Sequence, residues 1–296
     1  MKIVNILGGL GNQMFQYAFA LALSKRWPNE PVRIDTSGFN GYPLHNGYEL
    51  KRIFNVSLPK TSIKEQMSVF YPLLNYRMWQ IGTRILPKRK TIIKEAEDMK
   101  FDPNVLNSEK SSYYLGYWQT EKYFSDIREI VLDAFSFPPF LPESKNQILS
   151  MEIIDKITVS IHVRRGDYLK IGNACGICTI DYYKKAISSI FKRIKPNTFL
   201  IFSDDIDWCK VNLSESLGAI QTIYVDWNNG SESYRDMQLM SLCNHNIIAN
   251  SSFSWWGAWL NNHTDKIVIT PDKWMKNGGW VDIIPADWII INTSTK

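Results

Sequence analysis

A glycine-rich turn follows the first apolar run of the chain. The run Lys2–Leu7 is typical of a strand, and Gly8-Gly9-Leu10-Gly11-Asn12-Gln13 comes directly after it. Glycines let backbone N–H groups approach an anion, and the N-terminus of a following helix attracts negative charge. The carboxamides of Asn12 and Gln13 can orient phosphate oxygens or sugar hydroxyls without carrying charge. Gly11, Asn12 and Gln13 are therefore candidate ligand-binding residues.

The same glycines fit two other interpretations. In a dinucleotide-binding turn, Gly9 and Gly11 would be the first two glycines and Asp35 would bind the ribose, but Met14 occupies the third glycine position. The glycines could also form a purely structural tight turn. A partial glycine signature is weak evidence by itself, so both alternatives stay open, and the two carboxamides favour a binding site.

A second candidate site lies at the end of the alternating run Ile157–Val163. A period of two puts its apolar residues on one face and His162, with Arg164 beyond it, on the other. Open parallel sheets bind ligands at this end of their strands. An arginine there can hold a diphosphate with two N–H groups, and the imidazole can donate to the same anion. Arg165 and Asp167 are expected to pair and hold the loop; the alternative is that all four residues form ordinary surface ion pairs.

Polar residues also follow the next apolar run, Thr198–Phe202. Ser203 and Asp204 would reach the same sheet edge, where a carboxylate can accept guanine N–H groups or ribose hydroxyls. Asp204 and Asp205 could instead bind a divalent metal, or one of them could cap the helix that follows.

A hydroxyl-rich turn forms the last candidate. Its backbone amides and hydroxyls are suited to an anion. Trp255 and Trp259 fall on one face of the short helix that follows and are expected in the core, while Gly257 allows another element to approach closely. The residues of the turn are Asn250, Ser251, Ser252, Phe253 and Ser254.

Parallel sheets must position these residues. In the first part of the chain we predict a helix from about Asn12 to Arg26, a mixed, helical stretch from about Ser62 to Lys110, and a helix that starts near Thr120 and ends before Phe137. Lys88-Arg89-Lys90 is expected to be a solvated surface. Further strands are predicted at Pro31–Asp35 and Ser112–Trp118.

The proline-rich run Phe137–Pro142 is the predicted linker, so residues 1–142 and 143–296 are the expected domains. Beyond it, strand and helix patterns alternate, which favours a parallel sheet covered on both faces, and the aromatic segment Trp280–Ile291 is expected to pack. The strands are Ile157–Val163, Thr198–Ser203, Thr222–Asp226, Asn246–Ala249 and Lys266–Thr270, and the helices are Asp181–Arg193 and Ser233–Cys243.

Composition narrows the class of protein. The net charge of +5 is too mild to indicate a nucleic-acid binder, although it is compatible with an anionic ligand or a membrane surface. The apolar run before the first glycines is too short for a signal peptide, and no run approaches ~20 apolar residues. We expect a cytoplasmic protein, at most peripheral to the cytoplasmic membrane. Cys175 and Cys178 are expected to be packing or loop cysteines, because a zinc site needs a second close pair.

As a set, the motifs resemble those of the bacterial α-1,2-fucosyltransferases of glycosyltransferase family eleven. The resemblance runs in consistent order over nearly the whole chain. It rests on Gly8–Ala18, His162–Tyr168, Ser203-Asp204 and Asn250–Trp256, with Gly116–Gln119 and Glu121–Phe124 in addition.

The resemblance implies an α/β, GT-B-like fold of two Rossmann-like lobes with a donor cleft between them. The N-terminal lobe would receive a galactose-terminated glycan, and the C-terminal lobe would hold GDP-fucose. Independently of the resemblance, we expect the C-terminal tail to pack back on the first lobe. Neither a metal nor a separate cofactor is expected. By the same resemblance, Arg164 and His162 hold the donor phosphates, Asp204 reads the nucleotide, Ser252 and Ser254 lie in a donor-binding turn, and Asn12 lies near the reacting centre.

Loss of GDP from fucose leaves negative charge on the β-phosphate, and Arg164 is our candidate to stabilise it. Inversion ordinarily needs a general base, for which His162, Glu121 and Asp204 are candidates. Two alternatives remain. One is a fucosyltransferase of another linkage; the other is a sugar-binding protein without catalysis, which 11 Trp and 14 Tyr would also suit.

Overall fold

The computed structural model describes residues 1–87, 89–166, 178–275 and 282–293. The chain divides into two compact units. The first is Met1–Pro138 with Val281–Ile283, and the second is Pro139–Trp280 with Ile284–Lys296. The main boundary therefore falls inside the proline-rich run Phe137–Pro142.

The first unit contains a four-stranded parallel sheet with the order β2-β1-β4-β3. Its strands are β1 (Lys2–Asn5), β2 (Val32–Asp35), β3 (Ile92–Lys94) and β4 (Ser112–Leu115). Its α-helices are α1 (Leu10–Arg26), α2 (Leu50–Ile53), α3 (Ile63–Val69), α4 (Tyr76–Ile85) and α5 (Arg128–Ala134).

Stacked aromatic rings form much of this unit's core. The ring of Phe70 lies 3.9 Å from that of Tyr113 on β4, and Phe19 of α1 stacks 4.4 Å from Trp118. All four side chains are buried. Packing of this kind fixes α1 and the chain after β4 against the sheet, because aromatic rings bury large apolar areas.

Two predictions for this unit need correction. The strand predicted over Ser112–Trp118 ends at Leu115, because the N–H groups of Tyr117 and Trp118 donate to a carboxylate instead of a neighbouring strand. The helix predicted from near Thr120 is two 3₁₀ turns before α5. Tyr123 and Phe124 are adjacent and both buried, packing against two different rings of α1, and this broken path accommodates both.

The second unit contains a six-stranded parallel sheet with the order β10-β9-β8-β5-β6-β7. Its strands are β5 (Thr158–Val163), β6 (Thr198–Ser203), β7 (Gln221–Val225), β8 (His245–Ile247), β9 (Val268–Pro271) and β10 (Ile289–Ile291). Its described α-helices are α6 (Lys145–Glu152), α7 (Ile180–Phe191), α8 (Ile206–Leu217), α9 (Tyr234–Leu242) and α10 (Ser252–Trp259).

Taken from the β7 edge, this strand order is the Rossmann order, in which the chain starts at the centre and winds outward in both directions. All six residues of β5, the central starting strand, are buried. The predicted alternation of side chains along β5 therefore does not separate a buried face from an exposed one. Both faces are buried, as is usual for a strand inside a parallel sheet. The predicted α/β fold with Rossmann-like lobes is confirmed.

The helix after β8 closely contacts α9. A Cβ on Gly257 would lie 2.9 Å from Cβ of Met240, so only glycine fits there without a shift. Trp255 and Trp259 are buried and stack at 6.1 Å, as predicted for core residues. Among the described residues, no helix has the length and apolar character needed to cross a membrane.

Candidate functional site

The strand order of the second unit reverses between β5 and β8. Ligands of open α/β sheets bind in the crevice at this switch point, outside the carboxyl ends of the strands. Ile161 pairs with Ile247, so the residues that follow them, His162–Arg164 and Ile248–Asn250, run side by side at the carboxyl ends of β5 and β8. Val163 pairs with Ser203, which brings Asp204 to the same edge. The fold therefore collects all the predicted donor-site residues of this unit at one edge.

His162 is buried beneath that edge. Its ring lies 5.9 Å from the ring of Phe253, and its Nδ1 has no hydrogen-bond partner among the described residues. Burial, together with the nearby charge of Arg164, lowers the pKa of His162 to about 3. The imidazole is neutral near pH 7. It can still donate one hydrogen bond to a phosphate, but a group with this pKa is a weak general base.

Arg164 lies at the mouth of the switch point and contacts Asp204. Its Nε is 3.4 Å from Oδ2 of Asp204, and the two side chains are 31% and 26% exposed. An ion pair of this length and exposure contributes little, roughly 0–1 kcal/mol, so the pair between Arg164 and Asp204 can give way to an anionic ligand at small cost.

Asp204 also organises the loop after β5. Its Oδ1 accepts the backbone N–H of Arg165 at 2.9 Å, and a Cβ on Gly166 would come within 3.2 Å of its Oδ2. The predicted reading of the nucleotide by Asp204 stays a prediction. A carboxylate has about four acceptor sites, so these contacts leave capacity for a ligand.

Arg165 and Asp205 form a second pair beside the first. Nε of Arg165 lies 3.3 Å from Oδ2 of Asp205, and its guanidinium packs 4.1 Å from the ring of Trp208. Asp205 is also the N-cap of α8, accepting the N–H of Trp208 at 3.2 Å. The capping alternative is thereby confirmed for Asp205. The expected partner Asp167 lies outside the described residues, as do Tyr168 and Cys175.

Asn250 anchors the turn after β8 through hydrogen bonds of its side chain. Its Nδ2 donates to the carbonyl of Trp274 at 3.2 Å, and its Oδ1 accepts from Sγ of Cys178 at 3.5 Å. Ser254 is buried and donates to the carbonyl of Ser251, whereas Ser252 and Phe253 are partly exposed. Of the predicted turn residues, Ser252 and Phe253 thus present the most surface to a ligand.

Cysteines play a packing role where they are described. Cys178, Cys209 and Cys243 are free and buried. Burial raises the pKa of each thiol, to about 12, about 11 and about 12 respectively, which keeps them protonated. No group of three or more His, Cys, Asp or Glu in the described ranges is placed to hold a metal ion.

In the first unit, the glycine turn shapes the start of α1. Gly8 has a φ of +101°, and a Cβ there would lie 2.8 Å from Nδ2 of Asn12. Oδ1 of Asn12 accepts a hydrogen bond of 2.7 Å from Nε2 of Gln119. Gly11 continues the first turn of the helix. The glycine at position 8 therefore allows the Asn12 carboxamide to lie against the turn, oriented by Gln119.

The side chain of Gln13 is hydrogen-bonded to other parts of the protein. Its Nε2 donates to the carbonyls of Gly8 and Gly47, at 2.8 and 2.7 Å, and its Oε1 accepts the N–H of Glu49 at 2.9 Å. The side chain is fully buried. A direct contact between Gln13 and a donor would require these bonds to break, so in this structure Gln13 holds the neighbouring loop.

Glu95 is a residue that sequence reasoning missed. Its buried carboxylate accepts the backbone N–H groups of Tyr117 and Trp118, at 2.6 and 2.9 Å, and so fixes the loop that carries Gln119. Burial raises the pKa of Glu95, against the backbone hydrogen bonds that lower it. In the sequence, Glu95 follows a short apolar run, and an acidic residue in that position does not by itself indicate a function.

Asp35 does not suit the dinucleotide interpretation. It is buried, with Oδ2 accepting from the hydroxyl of Tyr113 and from Nε2 of Gln66, and with Oδ1 accepting the N–H of Ser37. A ribose acid must face the ligand, so an aspartate enclosed by three protein donors gives that interpretation no support.

Comparison with known proteins places these features in a family. The model of glycosyl transferase family 11 matches residues 1–292. An α-1,2-colitosyltransferase of Escherichia coli is 35% identical over 98% of this chain and 98% of its own length. The O-antigen biosynthesis glycosyltransferase WbnK of Escherichia coli is 33% identical over 95% of this chain and 97% of its own.

More distant similarities extend to animals and to solved structures. Galactoside α-(1,2)-fucosyltransferase 2 of Mus musculus is 26% identical over 87% of this chain and 67% of its own length. The crystal structure of NodZ α-1,6-fucosyltransferase soaked with GDP-fucose superposes with a TM-score of 0.51, covering 88% of this chain and 91% of that one, at 14% identity. At that identity the superposition shows the GT-B-like fold alone.

Proposed function

The chain belongs to glycosyl transferase family 11, and from this membership we propose that it moves L-fucose from GDP-β-L-fucose to the 2-hydroxyl of a terminal galactose. The acceptor oxygen would bond to C1 of fucose as the bond from C1 to the β-phosphate oxygen breaks, which inverts the anomeric configuration. An acceptor in an O-antigen type of surface glycan is proposed because relatives of this chain include an O-antigen glycosyltransferase.

The observation that carries this proposal is the position of Arg164 at the switch point. The leaving GDP gains negative charge as the glycosidic bond breaks, and a fixed cation beside the β-phosphate stabilises that charge. Arg164 is partly exposed there, and its pair with Asp204 is weak enough to yield to a diphosphate. We propose that this guanidinium, rather than a divalent metal, carries the leaving-group charge.

His162 is proposed to support the phosphate as a neutral donor. Its pKa of about 3 argues against a proton-accepting role, so Glu121 and Asp204 are left as the candidates for the general base. The turn at Ser252 and Phe253 would complete the donor site at the neighbouring strand end.

Asn12 is proposed to act near the reacting centre. The first unit holds its carboxamide in one orientation through Gln119, and Glu95 fixes the loop that supplies Gln119. A carboxamide oriented in this way can bind a sugar hydroxyl without competing for its proton.

A turnover assay tests the proposal. The purified protein is incubated with GDP-fucose and a β-galactoside such as lactose, with and without EDTA, and free GDP and the product linkage are measured. We expect acceptor-dependent release of GDP, an α-1,2-linked product and no effect of EDTA. Arg164→Ala should reduce kcat by about 10²–10³-fold, as for other groups that stabilise a leaving anion.

Arg193→Ala is the matched control for Arg164→Ala. Arg193 is exposed and lies just after α7, and among the described residues its side chain bonds only to Ser189. Its loss should leave turnover unchanged. Failure of the folded wild-type protein to release GDP with any galactoside would contradict the proposal and favour a sugar-binding protein.

Transfer of colitose is a second candidate function, favoured by the 35% identical α-1,2-colitosyltransferase. Colitose is fucose without its 3-hydroxyl. A site that hydrogen-bonds that hydroxyl rejects the deoxy sugar strongly, because its polar groups would be left unpaired. Comparing kcat/KM for the GDP-activated forms of the two sugars decides between them.

A further inference from the structure

The positive charge of the protein is concentrated in one segment. The sequence from Gln66 to Lys94 contains six basic residues and no Asp or Glu. The whole chain has 34 basic and 29 acidic residues, so the rest of it has 28 basic against 29 acidic. The entire excess of positive charge therefore belongs to this segment, whose basic residues are Arg77, Arg84, Lys88, Arg89, Lys90 and Lys94.

Helix α4 lies within the segment, and its inner face is fixed by packing. Asn75 caps it, accepting the N–H of Met78 at 2.9 Å. Gly82 faces Leu73 so closely that a Cβ would lie 2.7 Å from Leu73 Cδ2. Trp79 lies on the same side and is partly buried. These contacts decide which side of α4 faces outward.

The outward side of α4 is apolar. Met78, Ile81 and Ile85 are 41%, 58% and 72% exposed. Their spacing of three, four and seven residues puts them on one stripe spanning roughly 60° of the helix circumference. Arg77 and Arg84 are four and three residues from Ile81, so both border this stripe.

The neighbouring surface, on α3, also exposes apolar side chains. Ile63 and Met67 are one turn apart on α3 and are 55% and 54% exposed. Arg89 donates to the carbonyl of Met67 at 3.0 Å, which holds the basic segment beside this second apolar pair. None of the five basic residues of the segment that the structure describes is paired with a carboxylate of the described chain.

Exposed aliphatic side chains bordered by unpaired cations need a partner that is both anionic and apolar. A second copy of this chain would bring like charges together. A nucleic acid would be expected to stack on exposed aromatic rings, whereas the outward side chains here are Ile and Met. A bilayer containing anionic lipids satisfies both requirements, as it does for amphipathic helices that lie in the membrane interface.

We propose that α4, with the exposed face of α3 and with Arg89, docks on the surface of a membrane containing anionic lipids. The aliphatic stripe enters the boundary between headgroups and acyl chains, and the arginines contact the lipid phosphates. The surface comprises Ile63, Met67, Arg77, Met78, Ile81, Arg84, Ile85 and Arg89.

Co-sedimentation with vesicles tests this docking surface. The full chain is mixed with vesicles of phosphatidylcholine alone or of phosphatidylcholine and phosphatidylglycerol in equal parts. We expect binding only to the anionic vesicles, weakening as salt rises because surface charges are screened. The double variant R77Q/R84Q should bind more than about tenfold more weakly, since each basic residue near an anionic surface contributes about fivefold. I81S/I85S should weaken binding comparably.

Matched controls come from the second unit. Ile148 and Ile154 are 58% and 72% exposed, the same as Ile81 and Ile85. I148S/I154S therefore removes equal apolar exposure elsewhere, and K192Q/K195Q removes two exposed charges. Both control proteins should bind anionic vesicles as the wild type does.

Three outcomes would overturn the proposal: no binding by the wild type, equal binding to both kinds of vesicle, or equal loss in test and control variants. Binding that R77Q/R84Q weakens but I81S/I85S leaves intact, with similar affinity for an anionic oligonucleotide, would also overturn it in favour of a purely electrostatic surface. Turnover with soluble lactose should be unchanged in all four variants, so this test is independent of the proposed catalytic function.

Discussion

Arg164 and Asp204 are brought together by pairing between β5 and β6, with Nε of the arginine 3.4 Å from Oδ2 of the aspartate. The same carboxylate accepts the N–H of Arg165. Asp204 therefore orients both the guanidinium of Arg164, which we assign to the leaving group, and the backbone of the next residue.

Changes at Asp204 should affect the donor more than the acceptor. Asp204→Ala removes both contacts, and we expect kcat/KM for GDP-fucose to fall by at least about tenfold, corresponding to ~1.4 kcal/mol. Asp204→Asn keeps an oxygen for the Arg165 N–H and should lose less, whereas a loss as large as that of Asp204→Ala would assign the general base to Asp204. Steady-state kinetics with each substrate varied in turn measures this. A loss confined to the KM of the galactoside would contradict the assignment.

Asn12 and Gln119 should act as one unit. Either Asn12→Ala or Gln119→Ala breaks the 2.7 Å hydrogen bond, so the double variant should be hardly worse than Asn12→Ala alone. The measurement is a double-mutant cycle on kcat/KM with lactose as acceptor. Strictly additive losses would mean that Gln119 does not position Asn12.

Glu95 should stabilise the loop before Gln119. Glu95→Ala leaves the N–H groups of Tyr117 and Trp118 without their acceptor, and we expect the free energy of unfolding to fall by about 1–3 kcal/mol. Denaturant titration measures this loss. Glu97→Ala is the control, because Glu97 lies two residues further along the chain and is exposed. Equal stability of the two variants would show that the carboxylate of Glu95 contributes nothing.

Two groups with shifted pKa values, His162 and Asp236, should give the stability opposite dependences on pH. The pKa of His162 is lowered to about 3 by burial and by Arg164, so below its ordinary value of 6.5 the unfolded state binds the extra proton. Stability from this group is present above pH 6.5 and is lost as pH falls toward 3.

Burial raises the pKa of Asp236 from 3.8 to about 7, against a hydrogen bond from Asn228 that lowers it. Here the folded state binds the extra proton, so stability is lost as pH rises from about 4 to 7.

Single substitutions separate these two dependences. Asp236→Asn should remove the loss of stability that accompanies rising pH, so the unfolding free energy of this variant should increase from pH 4 to 7 more steeply than that of the wild type. In His162→Gln, the unfolding free energy should increase with pH less steeply than in the wild type. Each full effect is on the order of a few kcal/mol, since one pKa unit corresponds to ~1.4 kcal/mol. Urea titrations at several pH values measure both slopes, and parallel curves for the three proteins would contradict the shifts.

Local patterns in the sequence were sufficient to predict five of the six strands in the sheet of the second unit, but they missed β10. The predicted strand Thr198–Ser203 matches β6 at both ends, and β5, β7, β8 and β9 lie within one or two residues of their predicted bounds. Runs of apolar β-branched and aromatic residues between turns are local signals, so they survive without knowledge of the partner strands. The same signals failed between Ser112 and Phe137, where a carboxylate distant in sequence and two buried adjacent rings determine the path.

The sequence by itself determined the alternation of strands and helices and the polar residues at the strand ends, because both follow from short-range periodicity. Only the tertiary structure decided what each polar group contacts. It buried His162, enclosed Gln13 and Asp35 among protein donors, and brought Glu95 to the loop before Gln119. It also fixed which side of α4 faces outward. These outcomes depend on contacts between residues far apart in the chain, where burial and the supply of hydrogen-bond partners are set by packing and not by the order of neighbouring residues.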